Sequence, residues 1–359
     1  SRGAGWGIGG TFVSTSAPGS GRPLSTPSFR GVSLLGTGSS LPATVVTNQD
    51  LEKIMDTSDE WIVQRTGIHE RRHHKEALGE NTSHFATEAA RRALAAARID
   101  ATELDLVIVA TMTPDTPTPG VSCNVASRLG AGTIAGIDMN GACSGFVYAI
   151  NFAHDLIKVG SYRTIVVIGA DCITRHCDMS TYGRAVSVLF GDGAGAVVLR
   201  ATDDRTKGVL AQCLHTDGSG AKHLYIPTRF GDFPEGVHGE QRQLSCIQMS
   251  GQAVFKFAVG TFPKLIEETL EKANINASDV DHFVCHQSNM RILDAARDRF
   301  GIPPEKMLTN IAKCGNTVAA SVPLILDELA VTGRLHEGQK VMFLAFGAGL
   351  TWASSLWQL

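Results

Sequence analysis

The chain has 359 residues, 43% of them hydrophobic and 19% charged, with a formal net charge of −3. That balance suits a globular protein of one large or two medium domains and offers nucleic acid no basic surface. No apolar run approaches the ~18 residues of a membrane span. The eight cysteines are scattered without a C-x-x-C pair, which argues against a zinc site or a disulfide scaffold and for a reducing cytoplasm.

Residues 1–30 are rich in glycine and serine, contain arginine and lack any acid, so they read as a flexible tail outside the fold. Their composition also resembles an organelle transit peptide, which makes a plastid the alternative to the cytoplasm. Order begins near Gly31 with a strand and a loop. Asn48 or Asp50 is placed to cap a short helix around Leu51–Met55. Ser58–Arg72, SDEWIVQRTGIHERR, reads as a basic, aromatic loop suited to an anionic aromatic ligand such as an adenine nucleotide. An alanine-rich helix follows over 83–98, then a buried strand over 104–110, a proline-rich loop over 113–120 and a helix over 121–129. TIVVIGA (164–170) is another buried strand, and 185–200 reads as two strands meeting at the glycine turn GDGAGA. That turn lacks dinucleotide-fold spacing and is given no phosphate-binding role.

Ala135–Gly160 organises the chain. It reads as a short strand, the turn Gly141-Ala-Cys143-Ser-Gly145, and a helix apolar on nearly every side, hence buried. The turn has the logic of a nucleophile elbow, with cysteine where serine would stand. A cysteine heading a helix is expected to have a lowered pKa and a populated thiolate near neutral pH.

The second half repeats the first. Asp105–Ala110 recurs as Asp281–His286, each followed by a helix ending in a similar phrase, SRLG and DRFG. The Cys143 unit recurs with Asn316 in its place. A single repeat at this spacing is a duplicated domain. Alternating strands and helices in both halves imply a layered α/β fold. Corresponding strand ends should meet near a pseudo-twofold axis, which brings Cys143, His286 and Asn316 together at the side where such sheets bind ligands.

GACSGF, GDGAGA, HQSNMRI, GNTVAASVPLILDE and FGAGLTW together resemble the type III β-ketoacyl-acyl-carrier-protein synthases of the thiolase superfamily. The likeness spans Val32 to Leu359. A thiolase would need a second cysteine where FGAG has none, and an elongating synthase a second histidine where GNT has Asn316. The resemblance implies a thiolase-like fold, with duplicated βαβαβ halves (31–205 and 206–359) in a layered α-β-α-β-α sandwich. It also implies a decarboxylative condensation of an acyl-CoA primer with a malonyl carrier protein, initiating fatty acid synthesis. Cys143 would take the acyl group. His286 and Asn316 would donate to the enolate oxygen. Backbone N–H groups of Cys143 and of the Gly347-Ala348-Gly349 turn would serve the acyl-transfer oxyanion. No metal or cofactor is called for, because loss of CO2 drives the reaction.

The likeness further implies a CoA site. Trp61 would stack on adenine beside Arg65 and Thr66, with Arg184 flanking the nucleotide; TYGR departs from the family's usual approach to that arginine. Gly251, Phe255, Ala258 and Asn289 would line the pantetheine tunnel, with Phe346 near the cysteine. Lys256, Arg291, Arg297 and Arg299 are expected to form a basic patch for the acidic carrier protein. The implied protein is a homodimer, and Thr118 aligns with a position whose loop reaches across to the partner's acyl pocket. Two other readings stay open. One is a starter-unit synthase or acyltransferase of secondary metabolism. The other is a non-catalytic acyl-CoA-binding protein, against which the intact Cys-His-Asn set argues.

Overall fold

The computed structural model describes residues 29–237 and 243–359. Of the expected tail, residues 1–28 lie outside the described residues; Arg30 already donates its N–H to the Lys158 carbonyl at 3.1 Å.

Among the described residues, nine strands form two main sheets. The first contains β1 (Gly31–Ser40), β2 (Leu106–Ala110), β3 (Ala135–Met139), β4 (Thr164–Asp171) and β5 (Gly193–Thr202), in the order β1-β5-β4-β2-β3. The second contains β6 (Gly208–Thr216), β7 (His282–Cys285), β8 (Lys340–Gly347) and β9 (Thr351–Gln358), in the order β7-β8-β9-β6. β2 and β4 pair in parallel, as do β7 and β8; β5 and β9 run antiparallel to their neighbours. So β1, β5, β4 and β2 correspond in order and sense to β6, β9, β8 and β7.

The helices that matter here are α1 (Asp59–Thr66), α2 (Thr82–Ala97), α3 (Val121–Leu129), α4 (Gly145–Lys158), α5 (Gly251–Ala273), α6 (Met290–Phe300) and α7 (Ser321–Val331). Alternation along the strands sets the layers. Leu106, Ile108 and Ala110 of β2 face one way, into a core with Phe146, Val147 and Ile150 of α4 and Val322, Ile325 and Leu326 of α7. Val107 and Val109 face the other way, onto α2 and α3. In the second sheet Val341 and Phe343 join the central core, while Met342 and Leu344 face α5 and α6. Both sheets are therefore covered on both faces, which explains their unbroken apolar runs. The central helices α4 and α7 are flanked by one sheet on each side, completing five layers.

Four local expectations are corrected. Ser58–Arg72 is not a loop. Ser58 caps α1 by accepting from the Trp61 N–H at 3.1 Å, and Gly67 ends the helix at φ +76°. The cap near residue 50 is Thr47, which forms a capping box with Asp50 over Asn48–Glu52. Residues 185–200 hold one strand, not two: Arg184–Ser187 is a helical turn, and Val188 and Leu189 face a cavity. The apolar character there serves the cavity wall rather than a sheet. The helix after Cys143 is also not buried all round, since Phe152 is half exposed.

Candidate active site

The nucleophile turn is held from several sides. Ala142–Ser144 forms a 3-10 turn that runs into α4, so Cys143 precedes the α-helix. The unusual backbone falls on Ala142 at φ +46°, whereas Gly141 and Gly145 have negative φ. The glycines serve close approach instead: a Cβ on Gly141 would lie 2.9 Å from the Gly145 Cα. Thr351 Oγ1 donates to the turn, with Ser144 Oγ at 3.1 Å and the Gly141 carbonyl at 3.4 Å. Gly347 is equally constrained, because a Cβ there would sit 2.8 Å from the Cys143 amide nitrogen. The backbone of the second sheet thus abuts the nucleophile directly.

His286 follows β7, and its ring packs edge-on against Phe346 with centroids 5.6 Å apart. Its Nδ1 is buried and finds no partner among the described residues, which leaves Nε2 as the nitrogen for the cavity. Asn316 is fixed by its backbone: its N–H donates to the Leu189 carbonyl at 2.8 Å and its carbonyl accepts from the Gly191 N–H at 3.0 Å. Its Oδ1 accepts from the Val318 N–H at 2.9 Å, so the amide NH2 is the group free to donate.

Cys143, His286 and Asn316 all line one cavity of about 440 Å3, together with Phe346 and Gly347. The electrostatics correct one expectation. Burial, and then the charge of Asp171, push the Cys143 thiol up to about 12. A helix end favours the thiolate, but here desolvation outweighs it. The resting residue is a thiol, and its proton must move as the sulfur attacks. Burial also holds His286 at about 3, so the imidazole rests neutral.

The cavity runs outward to the expected nucleotide residues. Trp61, Arg65 and Thr66 line it. The Arg65 and Arg184 guanidinium carbons lie over the Trp61 ring, 4.4 and 5.6 Å from its centroid. Arg184 is oriented by an ion pair with Asp56 at 3.0 Å. Thr66 is buried and structural, donating to the Ile62 carbonyl at 2.7 Å and accepting from the Ile68 N–H at 3.0 Å. Asn289 caps α6 through the Arg291 N–H and reaches the Arg65 carbonyl at 3.0 Å, tying α6 to α1. Gly251, Phe255 and Asn289 line the wall.

Ala258 does not line the wall. It points into the core beside Phe262 and Leu265, one turn away from the lining residues Val254 and Phe255. Sequence reasoning missed Leu189, Met249, Phe257 and Ser288, which do line the cavity. Ser288 stands two residues from His286, and its Oγ has no partner among the described residues; that spacing was the available signal. Of the four basic residues expected at the mouth, Lys256 and Arg291 are exposed, and Arg291 lies over the Phe255 ring at 5.1 Å. Arg297 and Arg299 are paired with Asp294 and Glu267 at 2.7 and 2.6 Å, which offsets their charge. Thr118 is exposed and does not line this chain's cavity.

Among the described residues Cys213, His215 and Glu268 form the one group with metal-ligand character, their ligand atoms within 4.8 Å of one another. The Lys272 ammonium already sits among them, 3.3 Å from the Cys213 sulfur and 2.9 Å from the Glu268 carboxylate. The group holds its own cation and lies outside the cavity.

The chain is similar to known proteins along most of its length. Family models described as 3-oxoacyl-[acyl-carrier-protein (ACP)] synthase III and its C-terminal region match residues 137–218 and 270–359. A β-ketoacyl-[acyl-carrier-protein] synthase III of Xylella fastidiosa is 44% identical over 326 residues, covering 90% of this chain and 97% of that one. The crystal structure of 3-oxoacyl-[acyl-carrier-protein] synthase III from Aquifex aeolicus VF5 superposes with a TM-score of 0.84 at 40% identity, covering 92% of this chain and 100% of the other. The priming β-ketosynthase of the R1128 polyketide biosynthetic pathway superposes with a TM-score of 0.85 at 34% identity, covering 94% and 98%. With that identity over 90% of its length, the chain belongs to the β-ketoacyl-[acyl-carrier-protein] synthase III family.

Proposed function

We propose that the protein condenses an acyl-CoA primer with a malonyl carrier protein to give a β-ketoacyl carrier protein, the first condensation of fatty acid synthesis. The observation that carries this is one cavity lined by Cys143, His286 and Asn316 and opening beside Trp61 and Arg65. In the first half-reaction the Cys143 sulfur attacks the primer thioester. Its proton is handed to the departing CoA sulfur as the primer's C–S bond breaks, leaving an acyl-cysteine and free CoA thiol. In the second half-reaction the malonyl thioester loses CO2. His286 Nε2–H and the Asn316 amide donate to the enolate oxygen, and the enolate carbon attacks the acyl-cysteine. The cysteine sulfur leaves and is reprotonated. These steps use no metal or redox cofactor.

The CoA nucleotide is assigned to Trp61, Arg65 and Arg184, and pantetheine to the wall from Gly251 through Phe255 to Asn289. Lys256 and Arg291 receive the carrier protein. The halves divide near residue 205, between β5 and β6. A homodimer is supported by β3, the outer strand of the first sheet, whose Gly136, Ile137 and Asp138 are exposed. An apolar edge of this kind invites pairing with a second copy. The Thr118 loop belongs to the same edge, since a Cβ on Gly120 would lie 3.0 Å from the Asp138 carboxylate. The free thiols of all eight cysteines fit a reducing compartment, the cytoplasm in our reading.

Primer length is tested directly. Thr118 lacks the volume of an aromatic ring, and each further buried methylene favours binding by about 0.8 kcal/mol. Acyl-CoAs from acetyl to decanoyl, assayed with malonyl carrier protein, should give products from primers longer than acetyl. Thr118→Phe should cut the longer ones and spare acetyl. Exclusive use of acetyl-CoA, or an unchanged preference in the variant, would contradict this. The likeness to a priming ketosynthase favours a starter-unit synthase as the second reading. A strong preference for a polyketide carrier protein over a fatty acid one in this assay would select it.

A further inference from the structure

The last residue of β4 is a buried carboxylate that the reaction steps above do not use. Asp171 is 1% exposed. Its Oδ1 accepts from the Met112 N–H at 2.9 Å, the Thr113 hydroxyl at 2.9 Å and the Thr111 hydroxyl at 3.1 Å. Its Oδ2 accepts from the Ala319 N–H at 3.1 Å. No cation is within ion-pair distance of it among the described residues. Thr111–Thr113 open the loop that leads to Thr118, in the first half. Ala319 belongs to the turn that presents Asn316, in the second half. That turn carries unusual backbone, Val318 at φ +53°, and is packed so closely on β4 that a Cβ on Gly169 would meet the Ala319 carbonyl at 2.2 Å. A left-handed valine persists only where its surroundings hold it.

We propose that Asp171 is a positioning residue that fixes the Asn316 turn against β4 and the loop after β2, so that the Asn316 amide is aimed at the enolate oxygen. This rests on the assignment of Asn316 as an enolate donor. An uncompensated buried carboxylate is costly in a fold and persists when it organises its donors. Here the donors are main-chain and hydroxyl groups of two loops that meet at the reactive cavity. Asparagine at 171 would keep one acceptor oxygen but present an NH2 where the other oxygen now receives an N–H.

The charge gives a readout that a purely structural role would not move. Asp171 raises the pKa of Cys143, and the titratable groups around that cysteine are Asp171 at the end of β4 and His286 after β7. Replacing Asp171 should therefore make the Cys143 thiol easier to ionise while impairing decarboxylation.

The test is a double-mutant cycle on malonyl-carrier-protein decarboxylation, with Asp171→Asn, Asn316→Ala and both. Asp171→Asn alone should lower the decarboxylation rate by roughly tenfold or more, within the range for losing an oxyanion donor. In the Asn316→Ala background it should cost little further. Iodoacetamide should label Cys143 faster in Asp171→Asn than in wild type at neutral pH. Additive losses in the cycle, an unimpaired single variant, or slower labelling of Cys143 would overturn the proposal. If Asn316→Ala itself leaves decarboxylation intact, the donor assignment fails instead. Should Asp171→Asn not fold, Thr113→Val takes its place in the cycle; it keeps the carboxylate and removes one donor, and non-additivity with Asn316→Ala remains the expected result and additivity the contrary one.

Discussion

In the proposed reaction two side chains offer hydrogen bonds to the enolate, and they secure that ability differently. The Asn316 amide has no titration to lose. His286 is kept neutral by burial, at about 3, so it presents an N–H to the cavity throughout the working range. The sign is fixed: a histidine with a lowered pKa charges only in strong acid. In an NMR titration the His286 ring resonances, identified by their loss in His286→Ala, should stay fixed over about pH 5–8. An inflection near ~6.5, the ordinary imidazole value, would refute the burial argument. The convergence of Cys143, His286 and Asn316 on one cavity was legible in the sequence because turn glycines and the internal repeat mark them. The ionisation of Cys143 was not. A helix-start argument sees neighbours in sequence, whereas the thiol is governed by depth and by Asp171 at the end of another strand.

At the scale of elements, α1 shows what local reading loses. Its Ser58 cap and Gly67 stop were present in the sequence, but the basic and aromatic residues between them suggested a loop. As a helix it places Trp61 and Arg65 one turn apart, which puts the guanidinium 4.4 Å from the indole centroid. Ala258 was lost for the same kind of reason. On α5 a shift of one turn carries a residue from cavity wall to core, and spacing without the neighbouring sheet does not fix the helix rotation. The rim formed by α5 and α6 is narrower in charge than expected, because Arg297 and Arg299 are paired with acids. Arg291, exposed above Phe255, is the residue to reverse. Arg291→Glu should raise KM for malonyl carrier protein several-fold more than KM for acyl-CoA, and added salt should narrow that difference. Equal changes in the two constants would remove Arg291 from carrier recognition.

Backbone contact tests the junction of the two sheets. Gly347 tolerates no side chain beside the Cys143 amide. Gly347→Ala should therefore depress acylation of Cys143 at least tenfold, as loss of an oriented oxyanion donor would. The measurement is single-turnover acylation by quenched mass spectrometry. Wild-type acylation in a folded Gly347→Ala variant would show that the turn can yield.

For the whole molecule, duplication is the organising fact. The shared strand order of the two sheets makes β2 and β4 the counterparts of β7 and β8, and Cys143, His286 and Asn316 line one cavity between the halves. The repeated phrases announced this in the sequence. What they could not announce was the edge: β3 has no counterpart in the second sheet among the described residues, and its outer side is uncovered. Light scattering on a sizing column should report a dimer. Ile137→Lys, placing charge on an exposed apolar position of that edge, should shift it toward monomer and lower condensation activity. A wild-type monomer, or an undisturbed variant dimer, would remove β3 as the interface.

In the proposed reaction Cys143 carries the primer as a covalent thioester. Mixing the protein with acyl-CoA, without malonyl carrier protein, and measuring intact mass followed by peptide mapping tests it most directly. A single acyl adduct is expected on the peptide containing Cys143, absent in Cys143→Ala and discharged when malonyl carrier protein is added. An acyl-CoA bound without any covalent adduct, or an adduct that survives Cys143→Ala, would contradict it.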